Sequence, residues 1–131
     1  MQRVGMLLVV LLAVSACSSS AGRALQTDRS SYNTGDTIDI SLRNTSGGRM
    51  GYNLCFVKLE IRDGPSWRTV PHLAPNEACT AELRMMPPGG SAQWQIRLSE
   101  DLEDGTYRLS HDVEVGDDRR TISSGTFQVK D

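Results

Sequence analysis

Apolar and polar side chains alternate one by one along much of this chain, and a segment that presents every second side chain to a core is a β-strand. Residues 37–44 set Ile38, Ile40 and Leu42 against Asp39, Ser41 and Arg43. Residues 52–62 read as one longer strand, whose second half sets Val57, Leu59 and Ile61 against Lys58, Glu60 and Arg62. Residues 91–98 turn Ala92, Trp94, Ile96 and Leu98 inward, and Tyr107, Leu109, His111, Val113 and Val115 share a further face. Phe127 and Val129 mark the last strand. Turn chemistry separates these runs: Asn33-Thr34-Gly35-Asp36, Asn44-Thr45-Ser46-Gly47-Gly48, Asp63-Gly64-Pro65-Ser66, Pro87-Pro88-Gly89-Gly90 and Gly116-Asp117-Asp118. A Pro-containing polar loop, residues 71–77, leads into a strand at 79–85. Seven or eight short strands with turns roughly every 8–12 residues, and no helical periodicity, predict an all-β antiparallel sandwich.

The first residues follow different rules. Met1-Gln2-Arg3 precedes an apolar run, residues 4–14, and then Ser15-Ala16-Cys17. One basic residue, a short apolar stretch and small residues make a secretory signal; the run is too short for a membrane span, which takes about 20 residues. Val14-Ser15-Ala16-Cys17 resembles the lipobox of bacterial lipoproteins. The resemblance implies cleavage before Cys17, acylation of that cysteine and attachment to a membrane. Ser18 follows where an inner-membrane retention signal would place Asp, so the expected location is the outer membrane, facing the periplasm. Ser18-Ser19-Ser20-Ala21-Gly22 reads as a flexible tether. The expected organisation is therefore a signal peptide (1–16), a lipidated cysteine with its tether (17–23) and a single domain (24–131).

Removal of 16 residues from 131 leaves 115, one domain's worth, with 13 basic against 16 acidic residues and a net charge of −3. A mildly acidic chain whose basic residues do not cluster argues against nucleic acid as a partner. With Cys17 assigned to lipid, Cys55 and Cys79 remain. Two cysteines in an exported domain most simply pair, two separate thiols being the alternative. No other Cys or His stands at ligand spacing from either one.

At Leu102-Glu103-Asp104-Gly105-Thr106-Tyr107, a Gly two residues before a Tyr at a strand entry resembles the tyrosine corner of immunoglobulin-like domains. Together with Tyr32-Asn33-Thr34-Gly35-Asp36, Leu42-Arg43-Asn44, Trp67, Pro88-Gly89-Gly90, Gly105-Thr106-Tyr107-Arg108 and Phe127-Gln128-Val129, it makes residues 25–129 similar to a bacterial Ig-like domain family of envelope lipoproteins. The resemblance implies an Ig-like sandwich and transfers no catalytic residue. Leu109 stands where antibody domains carry their second inter-sheet cysteine, and Cys55 lies on the third strand. A Cys55–Cys79 bond is thus expected to tie that strand to the segment after the 71–77 loop, outside the core.

The remaining chemistry is sparse. His111 faces inward by alternation and is expected to be a satisfied, partly buried histidine; His72, in its Pro-flanked loop, is expected at the surface. The serines cluster in tether and turns, so no Ser-His-Asp constellation is expected. Met50, Met85 and Met86 are too dispersed from the histidines for a copper site, and Met85 is expected in the core. Asp101, Glu103 and Asp104 in one turn and Asp117 and Asp118 in another fall short of a calcium loop. Trp94 is expected in the core, whereas Trp67 and His72 are candidate contacts. No cofactor or metal is expected.

These features predict a lipid-anchored, non-enzymatic envelope module that binds or scaffolds an envelope protein or glycan, an edge strand being one surface able to accept a partner's strand. The alternative classes are an envelope proteinase inhibitor acting through the 71–77 loop and, behind it, a periplasmic metal-binding protein.

Overall fold

The computed structural model describes residues 23–74 and 76–131, so the signal, Cys17 and nearly all of the tether lie outside the described residues. In chain order the strands are β1 (Leu25–Thr27), β2 (Ser31–Asn33), β3 (Thr37–Arg43), β4 (Met50–Tyr52), β5 (Lys58–Asp63), β6 (Ser66–Val70), β7 (Arg84–Met86), β8 (Ser91–Arg97), β9 (Gly105–Val115), β10 (Asp118–Ser123) and β11 (Phe127–Lys130). A 3-10 turn, Leu54–Phe56, separates β4 from β5. The smaller sheet has the order β1-β3-β8. The larger is built around β9, whose first half lies between β11 and β5 and whose second half lies between β10 and β4. Parallel β2 extends this sheet beyond β11, β6 beyond β5, and β7 beyond β4.

Eleven segments meet the expectation of seven or eight strands because three strand pathways are interrupted. In one, the chain leaves the small sheet after β1 and enters the large one at β2. The bend is held by Tyr32, whose hydroxyl donates to Asp28 Oδ1 at 2.6 Å and accepts from the Arg29 N–H at 2.9 Å. Burial and the Asp28 bond push the Tyr32 phenol up to about 12. In another, β10 gives way to β11. There the Ser124 hydroxyl accepts from the Leu109 N–H at 2.9 Å and the Ser124 N–H donates to the Leu109 carbonyl, so β9 keeps its partners across the break.

The third interruption corrects the sequence reading of 52–62 as one strand. Asn53 Oδ1 accepts from the Cys55 N–H at 3.2 Å, and this local bond competes with the ladder and caps a turn. Leu54 is buried by the turn while Phe56 is left exposed, so clean alternation resumes only at Val57.

Both sheets contribute to one core. Ile38, Ile40 and Leu42 of β3 face Leu59, Tyr107, Leu109, Val113, Phe127 and Val129 of the large sheet. Phe127 meets Tyr32 edge-on at 5.4 Å between ring centres and stacks on Tyr107 at 6.2 Å. The Tyr107 hydroxyl donates to the Glu103 carbonyl, the corner expected from Gly105-Thr106-Tyr107. Asn44, buried at the end of β3, donates through Nδ2 to the Gly48 and Met86 carbonyls and exchanges backbone bonds with Gly89 and Gly90. It thereby fixes the turn that carries the chain from the large sheet back to the small one. Gly89 has φ +78° there, and a Cβ on Gly90 would lie 2.9 Å from the Pro87 carbonyl oxygen.

Two expected core residues are not in the core. Of the expected 79–85 strand only residues 84 and 85 pair, in a short strand that runs on to Met86, and the phase is the opposite of that expected. Met86 lies across from Met50 and both are buried, whereas Met85 lies across from Gly51 and is 46% exposed. Trp94 does sit on the inner side of β8, opposite Ile40, but it is 42% exposed because β8 is the edge of its sheet.

Candidate functional site

The segment between β6 and β7 has almost no ladder of its own, so its position depends on a few pins. The Cys55–Cys79 disulfide joins it to the 3-10 turn with the Cα atoms 5.7 Å apart. Asn53 Nδ2 donates to the Thr80 carbonyl at 2.7 Å. His72 Nε2 lies 2.5 Å from the Val57 carbonyl and must donate to it, since a carbonyl only accepts. The other ring nitrogen, Nδ1, is buried and without a hydrogen-bond partner among the described residues. His72 is thus a half-buried strut, which corrects the expected surface position.

Held this way, the segment forms one wall of a trough of about 980 Å³, with His72, Leu73 and Glu77 on that wall and Trp94, Ile96 and Arg97 of β8 on the other. The trough is open and is lined by apolar side chains together with charges of both signs. Alternation places Trp94 on the inner side of β8 but does not encode its exposure at a sheet edge, which is what makes it part of the trough.

The two expected contact residues do not come together. Trp67 lies on the outer face of the large sheet, with the guanidinium groups of Arg62 and Arg108 over its ring at 5.0 and 4.3 Å from the ring centre. Arg108 is itself held by Glu60, Nε to Oε1 2.9 Å.

His111 is buried on the inner face of β9, as expected, but it is not satisfied. It is 3% exposed and neither ring nitrogen has a hydrogen-bond partner among the described residues. Burial holds its pKa below the ordinary 6.5; the charge of Asp112 opposes this and that of Lys58 assists it. A folded-state pKa below the unfolded one means that neutral histidine contributes stability fully above about pH 6.5, and that this is lost as pH falls through the lowered value. Asp28 and Asp112 also have lowered values. At Asp28, burial is outweighed by the bonds from Tyr32 and the Asp39 N–H; at Asp112, the Thr121 hydroxyl is the main cause. Their contribution is lost only below the ordinary 3.8. Urea midpoints are therefore expected to fall between pH 7.5 and 5 in the wild type. The fall should be shallower in His111→Leu, which also removes an unpartnered polar group and should be at least as stable at pH 7.5. Equal slopes for the two proteins would contradict this assignment.

The methionines separate in the same way as the contact residues, Met50 and Met86 facing the core and Met85 the solvent. Among the described residues no three His, Cys, Asp or Glu side chains gather where they could hold a metal ion, and no helix is long and apolar enough to cross a membrane.

A three-stranded sheet packed on a larger sheet, with a split first strand, a tyrosine corner and a central β9, is an immunoglobulin-like sandwich. Residues 19–126 match the family model described as bacterial Ig-like domain, and the chain belongs to that family. Comparison with curated proteins returns no match. Membership fits a binding or scaffolding module rather than a catalyst.

Proposed function

We propose that the chain is an envelope lipoprotein whose Ig-like domain binds or scaffolds a second envelope component, a protein or a glycan, at a membrane surface. The observation that carries this reading is the junction at Cys17: the Val14-Ser15-Ala16-Cys17 lipobox pattern ends two residues before the family match begins. Anchor and domain are then nearly contiguous. Seven residues, and so eight chain steps, separate Cys17 from Leu25 of β1, a reach of about 28 Å when fully extended. A domain on so short a leash works close to the bilayer, and acylation with two or more chains makes the attachment stable where a single chain would not. The absence of Asp after Cys17 favours the outer membrane, with the domain in the periplasm.

Metabolic labelling with a fatty-acid analogue tests the reading. Wild-type chain should take up label and sediment with membranes, whereas Cys17→Ser should take up none and lose its stable membrane association. Unlabelled wild-type chain in the soluble fraction would sink it.

A further inference from the structure

Strand β8 is the longest strand of the small sheet's two edges, and its outer side carries no backbone partner among the described residues. Edge strands are usually blunted by Pro, Lys, a bulge or very short length. Here β1 is blunted by length, three residues, but β8 runs for seven regular ones, and its only charge is Arg97 at the end. In its middle stands Trp94, 42% exposed on the side that faces the core. A half-uncovered indole at an unblunted edge is a surface waiting for another strand.

We propose that the occupant is β8 of a second copy of this chain, paired antiparallel about a two-fold axis through Trp94. The residue pattern of the strand carries this choice. An antiparallel pair centred on Trp94 uses all seven residues of Ser91–Arg97. It sets Gln93 against Gln95, Ala92 against Ile96, Ser91 against Arg97, and the two Trp94 rings against each other. Paired residues share a face, so the apolar members meet on the core side and the glutamines on the solvent side; a one-residue slip would mix them. No like charges face each other, since each arginine lies opposite a serine. Beyond the strand, the same register brings Gly90 against Leu98 of the second copy, where the lack of a side chain on Gly90 leaves room. The trough beside Trp94, about 980 Å³, provides space for the second indole. Two three-stranded sheets would then join into one of six strands, and each copy would lose its free edge.

The test is sedimentation of the full chain purified as the cell makes it, in detergent if it fractionates with membranes. The comparison is with Gln93→Lys/Gln95→Lys and Gln93→Glu/Gln95→Glu, substitutions on the exposed face that leave the core untouched. Wild-type chain should be dimeric. Each double variant alone should dimerise at least about tenfold more weakly, because like charges then face each other twice, and an equimolar mixture of the two should restore the dimer. A monomeric wild-type chain, with or without a different envelope protein bound at β8, would overturn the proposal. So would a dimer indifferent to the lysines, or a mixture that fails to re-form it.

Discussion

Replacing Phe127 by alanine should lower the folding free energy by about 3–5 kcal/mol, the usual cost of truncating a fully buried aromatic. The position is unforgiving for topological reasons. Among the described residues β11 is the only element that pairs with both β2 and β9, and Phe127 projects from its first residue into the space between Tyr32 and Tyr107. Both tyrosines are held by their hydroxyls, one to Asp28 and the other to the Glu103 carbonyl, so neither is free to swing into the cavity. A site that cannot collapse retains its void, and the cost rises with the void's volume. Phe127→Leu should cost clearly less. The measurement is equilibrium urea unfolding at pH 7.5; a loss below about 1 kcal/mol for the alanine variant would mean that the ring cluster is not the centre of the core.

The second large effect is expected from the disulfide. Cys55→Ser/Cys79→Ser opens a loop that spans 24 positions, and the chain-entropy model assigns such a loop about 3.5 kcal/mol. The loss should be uneven across the molecule. The loop contains β5, which keeps its ladder with β9, and β6, which keeps its ladder with β5, but the stretch from Pro71 to β7 is otherwise secured by little more than the His72–Val57 and Asn53–Thr80 bonds. Amide exchange in residues 76–83 should therefore accelerate far more than exchange in β3 or β9. Stability within about 1 kcal/mol of wild type, with unchanged exchange in that stretch, would show that the bond constrains nothing the fold does not already hold.

Against a typical total of 5–15 kcal/mol, either change removes a large share of the stability of a domain this size. The two act differently. The first opens a void in the folded state, whereas the second enlarges the conformational freedom of the unfolded one.

How far the chain could be read in advance depended on the range of the signal. Ile38, Ile40 and Leu42, or Val57, Leu59 and Ile61, are buried as their alternation requires, because the pleat alone sends neighbours to opposite sides. The tyrosine corner was legible because its hydroxyl closes on a carbonyl four residues away. The Cys55–Cys79 bond was legible by elimination among three cysteines, and its place outside the core by comparison with antibody domains. Of the site, the loop before Cys79 was visible as a candidate, while the other wall of the trough was not.

The failures are all of one kind. Met85 and Trp94 were assigned to the core from their own strands, yet burial depends on what lies alongside. β4 sets the phase of β7 through the Met50–Met86 pairing, and among the described residues no strand lies beyond β8 to cover Trp94. The turn at Leu54–Phe56 falls where the apolar phase shifts between Phe56 and Val57, and there an asparagine side chain bonds the backbone in place of the sheet. His111 was placed inside correctly, but whether a partner waited for its ring could be decided only by the side chains that surround it. Sequence by itself thus determined the β period, the turns, the corner and the cysteine pairing, each a matter of residues near in sequence or few in number. Which strand ended at an edge, which face of β7 turned inward and which buried nitrogen went unpaired were decided by tertiary structure alone, since each depends on neighbours brought in from distant parts of the chain.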